Sequence, residues 1–342
     1  MMFTWDDVYY PGQIFRPRNN ACVKPSLDNA ASLKDKNCHL LGLHPGTNPS
    51  VNLAHFFSMI SARMGLLGMP SDKVVVLQYP SQSRLPLLFN SARRHGNKVI
   101  FLVHDIDELR FGKDESELLG EADILIVHTS RMKEWAEKKY PNVKCIVLGV
   151  FDYRIDFSPA KADKAKSELK WQVVYAGNLF KSGFIGELNN IPNSMEYLIY
   201  GSNPPEKLAE GVIYKGVVSP DILPYEISSA DFGLVWDGPS VEGCKGQFGD
   251  YLRYNIPYKA SCYLSAGLPL IVWEDMGFAD FVKKEGIGIC IGNLNELPSV
   301  LAKLDKNDYI EMKRKAMDIQ KKISSGYFFI QAMQKALDIL NR

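Results

Sequence analysis

The chain has 342 residues, 46% of them hydrophobic, and carries 40 Lys and Arg against 39 Asp and Glu for a formal net charge of +1. So even a balance excludes a strongly basic nucleic-acid binder or a polybasic membrane anchor, and any anion site must be local. The length exceeds one ordinary core, since domains commonly run to about 100 to 200 residues.

The N-terminus, Met1-Met2-Phe3-Thr4-Trp5-Asp6-Asp7, lacks a basic stretch followed by an apolar one, and no run of about 18 apolar residues occurs later. A cytoplasmic location is the expectation. Met2–Trp5 and Leu40–Leu43 are weak strand signals, with His44 just beyond the second. Val74–Leu77, Val99–Val103, Ile124–Val127 and Cys145–Leu148 are β-branched runs separated by stretches with helical character, the pattern of βα units on a parallel sheet. Directly after the Val99–Val103 run come His104, Asp105, Asp107 and Glu108. A carboxylate at a strand end can act as a general base towards an attacking hydroxyl, whereas Asp107 or Glu108 can equally cap the following helix. Asp105-Ile106-Asp107 also spells the Asp-x-Asp pattern that binds a divalent metal in another class of sugar transferases. His128 follows a strand without an acidic neighbour and is read as structural.

Between Gly149 and Lys170 the pattern lapses into Asp, Pro, Ala and Lys, predicting a linker and a short exposed helix. The strand alternation then resumes at Gln172–Ala176, Tyr197–Tyr200, Val212–Tyr214, Phe232–Trp236, Leu270–Trp273 and Gly288–Ile291. Two doubly wound α/β domains joined near residue 150 are expected, with ligand at the carboxyl ends of their strands. At those ends Gly177-Asn178 forms a turn with Lys181 three residues on, and Tyr214 can stack a base or cap the core. The stretch from Trp236 to Tyr251, with Asp237 and Gly238 at the strand mouth, is long, irregular and rich in glycine, as substrate loops are. Asp237 can accept hydrogen bonds from sugar hydroxyls. Asn255-Ile256-Pro257-Tyr258-Lys259 then opens a helix that closes at Gly267, leaving amino-terminal amides beside a lysine, where phosphate is favoured. The plainer alternative is an ordinary helix-strand connection with Lys259 solvated. The six cysteines, Cys22, Cys38, Cys145, Cys244, Cys262 and Cys290, include no CxxC pair and suit buried thiols better than disulfides or zinc ligands.

Four groups of residues, taken together, resemble the bacterial β-1,6-galactofuranosyltransferases, which are similar to the glucosyltransferases acting on serine-rich adhesins. They are His104-Asp105-Ile106-Asp107-Glu108-Leu109-Arg110, Gly177-Asn178-Leu179 with Lys181, Phe232–Gly238, and Asn255-x-Pro257-x-Lys259 with Tyr263–Pro269. Gly326-Tyr327-Phe328-Phe329 before an amphipathic helix resembles their ending. The resemblance runs over nearly the whole chain and is weakest in the first 38 residues. It implies the GT-B fold, two Rossmann-like domains facing a cleft. The boundaries expected are 1–150 on the acceptor side, 151–325 for the nucleotide-sugar, and 326–342 as a helix returning to the first domain.

The resemblance implies metal-independent, inverting transfer from a UDP-sugar to a saccharide or glycolipid hydroxyl, with no cofactor and no nucleic acid. It leaves open self-association and peripheral attachment at the inner face of the cell membrane. Carried over by position, Lys181 and Lys259 face the diphosphate, Asn178 and Asn255 hold phosphate or ribose, and Tyr214 lies against the nucleotide. Gly177 lets the ligand approach closely, and Asp6 and Asp7 face acceptor and sugar. Asp105 is the first candidate for the base, followed by Asp107 and His104. Many retaining GT-B enzymes carry two glutamates around this helix where Tyr254 and Cys262 stand here, which removes the usual carboxylate clamp of that route. A non-catalytic nucleotide-binding protein, or a metal-dependent transferase using Asp105 and Asp107, would be the alternatives.

Overall fold

A computed structural model describes residues 2–12, 23–43, 51–80, 84–155 and 170–342. The chain divides into two compact units, residues 1–152 with 325–342, and residues 153–324. Each is built on one six-stranded, wholly parallel sheet. His44, and the short helix expected between Gly149 and Lys170 over residues 156–169, fall outside the described residues.

In the first unit the strands are β1 (Val8–Pro11), β2 (His39–Leu41), β3 (Val74–Tyr79), β4 (Lys98–Val103), β5 (Ile124–Val127) and β6 (Lys144–Val147), in the order β2-β1-β3-β4-β5-β6. Every residue of β3 and β5 is buried, as expected of strands covered on both faces. Residues Met2–Trp5 do not form a strand. Trp5–Asp7 is a 3-10 turn, closed by Asp7 Oδ2, which accepts from the Thr4 amide at 2.9 Å and the Thr4 hydroxyl at 3.0 Å. The first strand begins one turn later, with Val8 and Tyr10 buried on alternate positions. The C-terminal helix Tyr327–Leu340 lies against β6 and the helix Lys24–Asp35. Its first turn donates to the Asp152 carboxylate from the amides of Phe328 at 3.1 Å and Phe329 at 2.7 Å, so a distant carboxylate satisfies its free amides. Asn341 at its far end exchanges two hydrogen bonds with the Phe3 backbone.

The second unit holds β7 (Trp171–Ala176), β8 (Met195–Tyr200), β9 (Val212–Tyr214), β10 (Phe232–Val235), β11 (Leu270–Trp273) and β12 (Gly288–Ile291), in the order β12-β11-β10-β7-β8-β9. The chain leaves β7 towards β8 on one side and returns with β10 on the other. The topological switch point therefore lies between β7 and β10, where open α/β sheets hold ligands. The helix Tyr258–Ser265 packs on β10 and against the helix Lys306–Ser324. Pro257 occupies its N-cap and Gly267 follows it at φ 71°. Only glycine takes that left-handed conformation readily, so the helix ends where the sequence places its stop.

Candidate active site

At the switch point, the register of Gly233 against Val174 sets Gly177-Asn178, just past β7, beside Trp236-Asp237, just past β10. The 258–265 helix delivers Lys259 to the same place. Its ammonium donates to Asp237 Oδ1 at 2.7 Å, to the Tyr175 hydroxyl at 2.9 Å and to the Trp236 carbonyl at 3.1 Å. The Tyr175 hydroxyl also reaches Asp237 at 3.1 Å and Ser182 Oγ at 2.5 Å. Burial pushes the Tyr175 phenol well above its ordinary range, with the Asp237 charge adding to the effect, so it stays protonated and can donate to the carboxylate. Lys259 and Asp237 are only 13% and 18% exposed, so this pair is screened far less than a surface one. The sequence assigned them to different parts of the ligand. In the structure they neutralise each other, and Lys259 is not the solvated charge of the plainer reading.

Tyr263, one turn after Lys259, fixes the helix in position. Its hydroxyl accepts from the Ala176 amide at 2.7 Å, and its side chain lies over Gly233, where an added Cβ would meet its atoms at 2.3 to 2.5 Å. Glycine at 233 is thus required for Lys259 to reach the switch point. Asn255, two residues before the N-cap, has its side-chain carbonyl oxygen buried without a partner among the described residues, although its backbone amide donates to the Tyr251 carbonyl. Orphan buried acceptors are costly, so this atom calls for a donor from outside the protein.

The other nucleotide candidates lie along the same carboxyl edge. Gly177 is exposed and borders Lys259, whose side chain would be met at 3.9 Å by a Cβ there. Asn178 accepts from the Phe180 amide and from Asn203 Nδ2, both at 3.2 Å, so its side-chain oxygen shapes the turn. Lys181 is exposed, its ammonium 4.5 Å from the Phe248 ring centre. Phe248 belongs to the helix Gly246–Tyr251, so the segment expected to be irregular ends in a helix. Tyr214 closes β9, half-exposed, and its hydroxyl donates to the Gly201 carbonyl at 2.8 Å. Gly238 takes φ 110° and donates its amide to the Lys181 carbonyl at 3.4 Å.

In the first unit, His104 and Asp105 follow β4 at the carboxyl edge. The Gln78 amide donates to the Ser26 carbonyl, which turns Gln78 Oε1 towards His104 Nε2 at 2.8 Å. Nε2 therefore carries the proton and Nδ1 the lone pair. The ring stacks on Phe151 at 5.5 Å, and burial with the neighbouring His128 holds the imidazole down at about 3. His128 is buried, donates to the Val103 carbonyl at 2.9 Å and is held at about 4, which fits a structural role. Asp105 is 38% exposed and meets Arg110 Nη1 at 3.1 Å.

Asp107 opens the helix Asp107–Phe111, but neither it nor Glu108 supplies the cap. The buried Glu115, not singled out in the sequence, accepts from the Glu108 amide at 3.0 Å and from the Tyr79 hydroxyl. Glu108 instead meets Lys139 at 2.6 Å. Asp6 and Asp7 precede β1 and so lie at the amino edge of their sheet, the opposite edge from Asp105. Asp7 pairs with Lys73, the residue before β3, at 2.6 Å, and the Asp6 carbonyl accepts from His39 at the start of β2. The sequence set the first strand one turn earlier, with these carboxylates after it; in the structure they precede it.

Two parallel-sheet units of this kind recur in solved structures. Sucrose-phosphate synthase from Thermosynechococcus elongatus matches with TM-score 0.64 at 12% identity, over 97% of this chain and 98% of that one. T4 phage BGT in complex with UDP-glucose matches with TM-score 0.55 at 14% identity, over 97% and 98%. The fold is that of the GT-B glycosyltransferases. The profile of glucosyltransferase 3-like N-terminal domains matches residues 13–150 and that of their C-terminal domains residues 173–336. The chain belongs to the glucosyltransferase 3-like family, and is a glycosyltransferase. It is 29% identical to the beta-1,6-galactofuranosyltransferase WbbI of Escherichia coli, over 80% of this chain and 82% of that protein. It is 23% identical to glucosyltransferase 3 of Streptococcus parasanguinis, over 76% and 77%.

Proposed function

We propose that the protein transfers a hexose from a UDP-sugar to a saccharide or glycolipid hydroxyl with inversion, in the assembly of a cell-surface glycan. The part-buried Lys259–Asp237–Tyr175 network at the switch point of the second sheet carries this reading. Rupture of the anomeric C–O bond sends its electron pair to the departing UDP, whose β-phosphate gains negative charge. Lys259 and Lys181, with the first amides of the 258–265 helix, supply fixed positive charge for it. As the diphosphate takes Lys259, Asp237 is released to accept from sugar hydroxyls, so one pair serves both halves of the donor. The orphan oxygen of Asn255 is an acceptor, which favours a ribose hydroxyl over a phosphate oxygen as its partner.

The attacking hydroxyl loses its proton to Asp105. The Arg110 guanidinium already occupies one Asp105 oxygen, which disfavours a divalent cation there and supports a metal-independent reaction. Named relatives act with galactofuranose or glucose, and both are candidate donors. A panel of UDP-sugars in thermal shift, followed by transfer assays with and without chelator, tests the reading, since a bound donor raises the melting temperature by mass action. Stabilisation by UDP-galactofuranose or UDP-glucose, with chelator-insensitive turnover, is expected. Binding without transfer to any acceptor would make this a nucleotide-binding protein, and chelator-sensitive transfer would restore Asp105 and Asp107 as metal ligands.

A further inference from the structure

The helix Val51–Leu67 buries the wrong side of itself. The face it turns inward includes Ser58, Ser61, Ala62 and Gly65, whereas Phe56, Met59, Met64 and Leu67 are 56%, 51%, 45% and 82% exposed. At 100° per residue, positions 56, 59, 60, 63, 64 and 67 fall on one arc, and Arg63 is the only polar residue among these six. Burial of large apolar groups drives folding, so a helix that leaves them outside from residue 56 to residue 67, over about 17 Å, is presenting them to another phase. The adjacent helix Leu85–Arg94 adds Leu87 at 47% exposure.

Charge identifies that phase. From Val51 to Val103 the chain carries six Lys or Arg and a single acidic residue, Asp72, within a chain of net charge +1. Lys73 pairs with Asp7, and Arg93 and Lys98 with Asp123. Arg63, Arg84 and Arg94 are exposed and meet no carboxylate among the described residues. Large apolar groups with one unneutralised arginine among them, Arg63, and two more at the ends of the adjacent helix, Arg84 and Arg94, suit the interface of an anionic bilayer, where the apolar groups enter the acyl boundary and guanidinium groups meet headgroup phosphates. No described helix is long and apolar enough to cross a membrane, so the contact is in-plane.

We propose that the outward face of the 51–67 helix docks the first unit on an anionic lipid surface. Its amino-terminal end, at Val51, follows β2 and so lies at the carboxyl edge of the sheet, the edge that carries Asp105. A glycolipid acceptor held in the same surface would arrive at that edge. The proposal deepens the glycolipid-acceptor reading above, but its test does not depend on transfer.

The full chain is sedimented with vesicles of phosphatidylcholine alone and with phosphatidylglycerol added, at low and high salt. Binding to the anionic vesicles only, weakened by salt, is expected, with a loss of about tenfold or more in Met59→Glu/Leu67→Glu. Arg63→Glu, a charge reversal on the exposed face, should lower binding without changing helicity and covers the case in which the double variant misfolds. Both variants should retain turnover on a water-soluble acceptor, whatever donor proves correct. Absence of vesicle binding, or equal binding by the variants, overturns the proposal. So does a wild-type oligomer that ignores vesicles and dissociates in the double variant, because the face would then join copies of this chain.

Discussion

The carboxyl edges of the two sheets use charge in opposite ways. At the second, Lys259 is enclosed with Asp237, Tyr175 and Ser182, and Tyr263 clamps the helix that carries it. At the first, Asp105 is held by one guanidinium, remains 38% exposed and stands beside an imidazole kept neutral. A cation that stabilises developing charge gains from low dielectric and fixed geometry. A base must instead be reachable by a substrate hydroxyl and return its proton to water. On the proposed mechanism, burial and exposure divide the two roles between the two units.

The contrast breaks most sharply at Asp105. Asp105→Asn keeps the shape and the Arg110 contact but cannot accept a proton. A positioned base contributes about 10²- to 10⁴-fold, so turnover should fall by that order while UDP affinity stays within about twofold. Titration calorimetry with UDP and steady-state transfer on the same preparation check this. Turnover within a few-fold of wild type would pass the role to Asp107.

The next effect is at Lys259. Charge-assisted contacts to phosphate contribute about 1.5 to 3 kcal/mol, so Lys259→Ala should weaken UDP by about tenfold to a hundredfold. It should also lower the melting temperature, because Asp237 is left buried without its cation. Asp237→Asn releases the lysine instead. UDP should bind at least as tightly as to wild type, while the KM for the full UDP-sugar rises. If both variants weaken UDP alike, the pair is a structural brace and the exchange of partners is wrong.

Much of this was legible in sequence, for identifiable reasons. Strands such as Val74–Tyr79 and Ile124–Val127 are covered on both faces and therefore appear as unbroken β-branched runs. The 258–265 helix carries its own start and stop in Pro257 and Gly267. By contrast, β1 is four residues ending in proline and was hidden behind Asp6-Asp7, which moved those two carboxylates to the wrong edge of the sheet. Pairing across long separations left no local trace. Lys259 and Asp237 lie 22 residues apart and Lys259 and Tyr175 84 apart, joined only when β7 and β10 come into register. Glu115 was missed because a carboxylate that caps a helix beginning eight residues before it follows no capping pattern.

The smallest effect on turnover is expected at His104, a further candidate beside the proposed base. Its imidazole is held at about 3 and that of His128 at about 4, both below the ordinary 6.5, with burial the main cause. His104 Nε2 is held by Gln78 and its ring stacks on Phe151, so His104→Gln, which can still donate to Gln78, should change turnover by less than about threefold. Stability gives the sharper readout. Between about pH 6.5 and 3 the unfolded chain binds more protons at these rings than the folded one, so stability rises with pH across that window. The contribution is complete above 6.5 and is lost as pH falls through the depressed values. His104→Gln removes one of the two rings, and the slope of melting temperature against pH should become shallower between pH 6.5 and 4, while the plateau at neutral pH moves little. An unchanged slope would mean that the ring titrates normally in the folded chain, and His104 would then compete with Asp105 for the proton.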